Sequence, residues 1–126
     1  ISADVTAAYD PSFASAFEEM NVGYVNKGVT MNKFTGARGK SGSNDASAEY
    51  IAYLRGVFAK ENVVWQTGEL GRVDLGGGGT VAKYISKMNI DTVDMGVPVL
   101  SMHAPNELIS KADLYAAHKA FSAFVK

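Results

Sequence analysis

The sequence predicts an α/β sandwich, with helices laid over a sheet. Short apolar runs at residues 29–34, 63–67 and 93–102 alternate with stretches of helical period at 11–20, 44–62, 80–88 and 110–124. Gly, Pro or Asn sets these segments apart, and no segment repeats another. The 126 residues suffice for one domain with a buried core.

The elements follow in order. Ile1-Ser-Ala-Asp4 reads as the last residues of a strand with no polar lead-in, so the chain is expected to be the carboxyl-terminal part of a longer protein. Asp10-Pro11 starts a helix, because Asp accepts a free amide and Pro fits the first helical position. Phe13, Phe17 and Met20 then predict a buried stripe over residues 11–20. Lys27-Gly28 turns the chain into a strand at 29–34, and residues 35–42 read as a cationic surface loop. From Ser43 or Asn44 a helix is predicted, with Tyr50, Ile51, Leu54, Val57 and Phe58 on one apolar face. After the strand at 63–67, Glu69 and Asp74 read as solvent-facing loop carboxylates.

Four glycines at 76–79 each lose backbone freedom on folding, which packing alone does not explain. They precede an amphipathic helix at 80–88, with Val81, Tyr84, Ile85 and Met88 inward and Lys83 and Lys87 outward. A glycine run there offers free amides and a positive dipole end to a carboxylate, phosphate or oxyanion; a plain tight turn is the alternative. In the strand at 93–102, Pro98 has no amide to donate, which predicts a bend or irregular pairing. Ser110 with Asp113 is close to a capping box, and Leu114, Ala117, Phe121 and Phe124 form the stripe of the last helix. His118 lies beside that stripe and reads as a surface residue.

Composition narrows the function. A net charge of −1 gives no electrostatic case for nucleic acid or an anionic membrane. No apolar run reaches the length of a transmembrane helix, and none reads as a signal peptide. With no Cys there is neither a disulfide framework nor a thiolate zinc site. Any metal must therefore use His, Asp or Glu, which points to a catalytic or open site. The lack of Cys also fits a cytoplasmic protein.

Two side chains carry the chemistry. The run Val97-Pro-Val-Leu-Ser-Met-His103 delivers an imidazole at a strand's carboxyl end, where α/β sheets collect ligands. It is placed to hold a metal or move a proton, or merely to cap the strand. Asp4 ends another apolar segment. A decoy stands between them: Gly39-Lys40-Ser41 completes half of a phosphate loop, but Phe34 occupies the first glycine position and the helix starts too late.

Ser2-Ala-Asp4 with Asp10-Pro11, then Gly36-Ala-Arg-Gly-Lys-Ser-Gly-Ser-Asn-Asp45, Gly76-Gly-Gly-Gly-Thr80 and Ser101-Met-His-Ala-Pro105 occur in that order. Together they resemble the aspartyl aminopeptidase and aminopeptidase I family of di-zinc exopeptidases, over essentially the whole chain. Bacterial aminopeptidase I-like members are the more similar ones. The resemblance implies a three-layer αβα sandwich with a mixed sheet, here only its carboxyl-terminal part. It also implies two zinc ions per complete site, sharing a bridging aspartate and a water.

On that resemblance, Asp4 ligates one zinc and His103 the other, and Lys33 matches a basic position near the substrate pocket. Gly77, Gly78, Gly79 and Thr80 match the loop lining the active site. The other ligands, the glutamate general base and an inserted oligomerisation domain are implied upstream of residue 1. The chain alone is therefore expected to be inactive. Its expected partners are a peptide substrate, the upstream segment of the same protein and further copies in a homo-oligomer. Lys33, Arg38 and Lys40 either attract an acidic first residue or are solvated cations, and family members differ in preference. Two other readings stand beside this one: a non-catalytic α/β binding or assembly module, and a phosphate-loop nucleotide binder resting on Lys40.

Overall fold

The computed structural model describes residues 1–37, 41–78 and 80–126. Along the chain run β1 (Ser2–Ala7), a 3-10 helix (Pro11–Ala16), β2 (Val29–Asn32), β3 (Phe34–Ala37) and β4 (Ser41–Asp45). Then come α1 (Ala48–Lys60), β5 (Trp65–Thr67), α2 (Ala82–Ser86), β6 (Asp94–Leu100), β7 (Leu108–Ile109) and α3 (Lys111–Phe124). The α/β class and the mixed sheet hold.

Among the described residues, one sheet has the order β1-β6-β2-β5, with β7 also on β6. β1 runs parallel to β6, whereas β2 and β7 run antiparallel to it, and β5 is parallel to β2. Pro98 explains why β6 changes partner along its length. β2 pairs as far as Gly96 and β7 takes over at Val99, so the proline falls in the gap where no ladder amide is needed. The irregular pairing expected at Pro98 is this exchange of neighbours.

The two faces of the sheet differ. Val29 and Met31 of β2 and Met95 and Val97 of β6, with Val93 just before it, join Leu54 and Phe58 of α1 and Ala117, Ala120 and Ala123 of α3 in the core. The alternate positions are polar or small: Thr30 and Asn32 pair with Gly96 and Asp94, which pair in turn with Asp4 and Ser2. Helices cover the first face. On the second, Gly23 and Gly68 press against Thr30 so closely that a Cβ on either would lie 2.8 or 2.7 Å from its side chain.

α1 carries the predicted face, with Leu54 and Phe58 buried and Tyr50, Ile51 and Val57 packed around them. It starts later than expected, at Ala48, because Ser47 caps it by accepting from the Tyr50 amide at 3.2 Å. Residues 41–45 form a strand instead. The expected loop at 35–42 is thus largely a β-ribbon, with Phe34 opposite Asp45 and Thr35 opposite Asn44. In α3 the buried stripe consists of Ala116, Ala117, Ala120 and Ala123, whose small side chains allow close approach to the sheet. Leu114, expected inside, is 51% exposed. His118 is exposed, as read.

Asp113 does not complete a capping box. Its buried carboxylate reaches across to accept the amides of Asn26 at 2.7 Å and Gly28 at 2.8 Å. Gly28 sits at φ 94°, a left-handed conformation that glycine adopts without strain, so this turn can present both amides to one carboxylate.

Two predicted helices are corrected. Residues 11–20 form only the 3-10 helix, with non-helical angles at Phe13, and Phe13 and Met20 are 67% and 97% exposed. Asp10 does cap it, accepting from the Ser12 amide at 2.8 Å. The helix expected at 80–88 is the five-residue α2, whose first turn has no side-chain cap. Val81, Tyr84 and Met88 are exposed rather than buried. The glycines before it supply no capping oxygen, and a single turn forms too few internal bonds to bury a stripe.

Candidate metal and substrate site

Because β1 and β6 are parallel neighbours, both direct their carboxyl ends to the same edge of the sheet. β6 ends at Leu100 and returns through β7, pairing Val99 with Ile109 and Leu100 with Leu108. His103 therefore stands near the tip of a hairpin, exposed to solvent. Ser101 and His103 occupy left-handed backbone, at φ 59° and 68°, which few non-glycine residues adopt. The turn is pinned by two bonds: Ala104 N–H donates to the Ser101 carbonyl at 3.0 Å, and His103 N–H donates to Glu107 Oε1 at 2.6 Å. The strained backbone costs about 1–3 kcal/mol per such residue and is held by these two bonds.

Asp4 is not at a strand end. β1 continues to Ala7, so the aspartate lies mid-strand, exposed, with Oδ1 accepting the Val5 amide at 2.8 Å. It is level with Gly96, and four residues of β6 separate that row from the hairpin, about 13 Å along the strand. Asp4 thus lies mid-strand in β1, and His103 lies in the turn beyond the end of the neighbouring β6. Ligands of two ions about 3.5–4 Å apart need not touch one another.

Both groups fit zinc chemically. Beyond the bonds given above, the Asp4 carboxylate and the His103 ring make no hydrogen bond among the described residues, which leaves their electron pairs available. They do not form a complete site, since no group of three or more His, Asp or Glu side chains suited to a metal occurs among the described residues. Zinc takes about four donors, so these two alone do not make a zinc site.

The glycine-rich loop is tied to β6. Thr80 Oγ1 donates to Asp94 Oδ2 at 2.6 Å, with Asp94 only 1% exposed. The Thr80 hydroxyl proton is thereby committed to the protein rather than to a ligand. Gly77, at φ 125°, and Gly78 are half-buried in irregular backbone, while Gly79 lies outside the described residues. α2, a single turn beginning two residues after Thr80, offers no helix dipole of the kind expected here. Lys33 follows β2 and pairs its ammonium with Asp45.

Arg38, Gly39 and Lys40 lie outside the described residues, but the helix that a phosphate loop requires at Ser41 is absent, because β4 begins there. A polar cleft of about 320 Å³, lined by Asn44, Asp45, Ser47, Ser86, Asn89 and Asp91, includes neither Asp4 nor His103.

Sequence reasoning missed Asp94, Asn32 and Glu107. Asp94 Oδ1 and Asn32 Oδ1 are buried acceptors with no hydrogen-bond partner among the described residues, on residues that pair directly across β6 and β2. The signal was available: Val29-Thr-Met-Asn32 and Val93-Asp-Met-Gly-Val97 both alternate with period two.

The profile of the aminopeptidase I zinc metalloprotease (M18) family matches residues 1–125. The chain belongs to this family. It is 51% identical over 125 residues to a probable M18 family aminopeptidase 1 of Clostridium acetobutylicum, covering 99% of this chain and 27% of that relative. A probable M18 family aminopeptidase 1 of Borreliella burgdorferi is 48% identical over 126 residues, covering all of this chain and 28% of the relative. The crystal structure of aminopeptidase I from Clostridium acetobutylicum superposes with TM-score 0.92 at 51% identity, over 98% of this chain and 27% of that one. An M18 aminopeptidase from Thermotoga maritima gives TM-score 0.92 at 42% identity, over 98% of this chain and 28% of the other. The chain spans about a quarter of the length of the relatives it matches. No helix among the described residues is long and apolar enough to cross a membrane.

Proposed function

We propose that this segment is the carboxyl-terminal part of the catalytic domain of a zinc-dependent aminopeptidase, which removes amino-terminal residues from peptides. The observation that carries this reading is the parallel pairing of β1 with β6 in an M18 chain, which sets Asp4 beside the strand that ends in the His103 hairpin. When bound, a pair of zinc ions supplies a nucleophilic water and polarises the scissile carbonyl. Asp4 offers a carboxylate to one ion and His103 an imidazole to the other. Glu107 holds the backbone of the His103 turn, so the ring starts from a fixed base. The Thr80–Asp94 bond fixes the exit of the glycine loop, and the amides of Gly77 and Gly78 are the groups it offers to a substrate. Lys33 adds positive charge near the pocket, partly neutralised by Asp45.

The remaining zinc ligands, the general base and the inserted oligomerisation domain belong to the rest of the protein. This segment alone is inactive, and the whole protein works as a cytoplasmic homo-oligomer. The test is hydrolysis of acidic and neutral aminoacyl anilides by the full-length protein. Activity is expected to vanish with a chelator, to return with zinc, and to fall more than about 100-fold in His103→Ala, since even outer-shell changes cost 10–100-fold. Chelator-resistant hydrolysis would refute the metal mechanism. No hydrolysis under any metal load would favour the assembly-module reading, for which the incomplete ligand set here speaks.

A further inference from the structure

We infer that Gly96 is a positioning residue that sets where Asp4 stands relative to the His103 hairpin. Gly96 lies in the middle of β6, opposite Asp4 in β1 on one side and Thr30 in β2 on the other. A Cβ placed on it would lie 1.8 Å from the Asp4 carbonyl oxygen, 2.3 Å from the Asp4 carbonyl carbon and 2.8 Å from the Val5 nitrogen. All three are backbone atoms, and Cβ contacts below 3.0 Å do not occur. No rotamer change can relieve them. The two strands must part, and they must do so at Asp4.

Backbone conformation is not the reason for glycine here. Gly28, Gly71 and Gly77 hold left-handed φ values, whereas Gly96 is not among the positive-φ glycines. What it provides is space. The missing side chain lets the Asp4 peptide lie directly against the strand that continues, seven residues later, to His103. This closeness fixes the spacing between the two strands that carry the candidate donors. Gly56 in α1 is the natural contrast, because a Cβ there meets nothing within 4 Å.

The inference rests on the reading of Asp4 and His103 as zinc ligands, and the experiment separates the two. In the full-length protein, Gly96→Ala, Gly56→Ala, Leu54→Ala and Asp4→Ala are compared by chelator competition for zinc, by visible absorption after cobalt substitution, and by thermal unfolding. Gly96→Ala is expected to weaken metal binding 10–100-fold and to alter the cobalt spectrum, with Gly56→Ala unchanged in both. Leu54→Ala, a core variant, is expected to lower the melting temperature and leave the spectrum intact. If Gly96→Ala behaves like Leu54→Ala, its role is structural only and the positioning claim is overturned. If Asp4→Ala itself keeps full metal affinity and spectrum, the ligand reading fails and takes this inference with it. Should Gly96→Ala not fold, the crystal structure of the zinc-loaded wild type decides. Contact between Gly96 Cα and the Asp4 peptide with no space for a methyl group supports the claim, and room for one overturns it.

Discussion

The two faces of the sheet are built from the same strands and serve different ends. On one, Val29, Met31, Val93, Met95 and Val97 meet α1 and α3 through apolar contact alone. On the other, Thr6, Thr30, Asn32 and Asp94 are just as buried but polar, and the cover is irregular chain rich in glycine. The apolar face gains stability with every methylene removed from water. Each buried polar group of the other face costs free energy unless it is paired. Thr30 Oγ1, Asn32 Oδ1 and Asp94 Oδ1 make no hydrogen bond among the described residues. A protein that needed only stability would not keep such a face, and Asp4 belongs to it by register.

The contrast can be broken most severely from the apolar side. Leu54 is fully buried, and Leu54→Ala is expected to cost about 2–5 kcal/mol in urea denaturation while leaving zinc affinity unchanged. A loss of zinc with the loss of stability would show the two faces to be coupled. On the polar side, Thr80→Val removes the one hydrogen bond that the buried Asp94 carboxylate makes among the described residues. The expected destabilisation is about 1–3 kcal/mol, with a raised KM for peptide substrates as the glycine loop loosens. A change in stability with KM intact would confine Thr80 to a structural role.

The smallest effect lies away from both faces. A hydrogen bond from Lys126, and then its charge, hold the exposed Glu61 carboxyl below its ordinary value. Its contribution is fully present above that ordinary value and is lost as pH falls through the lowered one. The slight advantage of wild type over Glu61→Gln at neutral pH should therefore disappear in acid. An advantage that grew on acidification would contradict the assignment.

These differences also explain what the sequence disclosed. α1 was legible because Tyr50, Ile51, Leu54, Val57 and Phe58 mark one face, although its start was placed too early because the Ser47 cap was not read. The stretch with Phe13, Phe17 and Met20 shows the same spacing, but over too short a length to distinguish a buried helix from an exposed turn. There Tyr9 gathers Phe17 and Tyr24, with ring centroids 5.8 and 5.4 Å away, while Phe13 and Met20 stay outside. The β3–β4 ribbon was hidden by Gly-Ala-Arg-Gly-Lys-Ser-Gly-Ser, a composition that reads as loop and forms strands only through cross-strand pairing.

At the site, His103 and Asp4 were singled out at the ends of apolar runs, and only the ordered motifs gave them their expected roles. Asp94 was missed because the strand at 93–102 was read for its apolar residues and its end, not for the polar alternate positions. Its burial depends on Thr80, fourteen residues away, and on Asn32 across the sheet. Pairings of that kind are set by strand order, which local sequence does not encode.

The measurement that tests the central claim most directly is the zinc content of the full-length protein, wild type against Asp4→Ala and His103→Ala, by elemental analysis after gel filtration. The account predicts about two zinc ions per wild-type protomer and about one fewer in either variant. Full zinc content in both variants would contradict it, and would leave the polar face of β1 and β6 without the role argued for it.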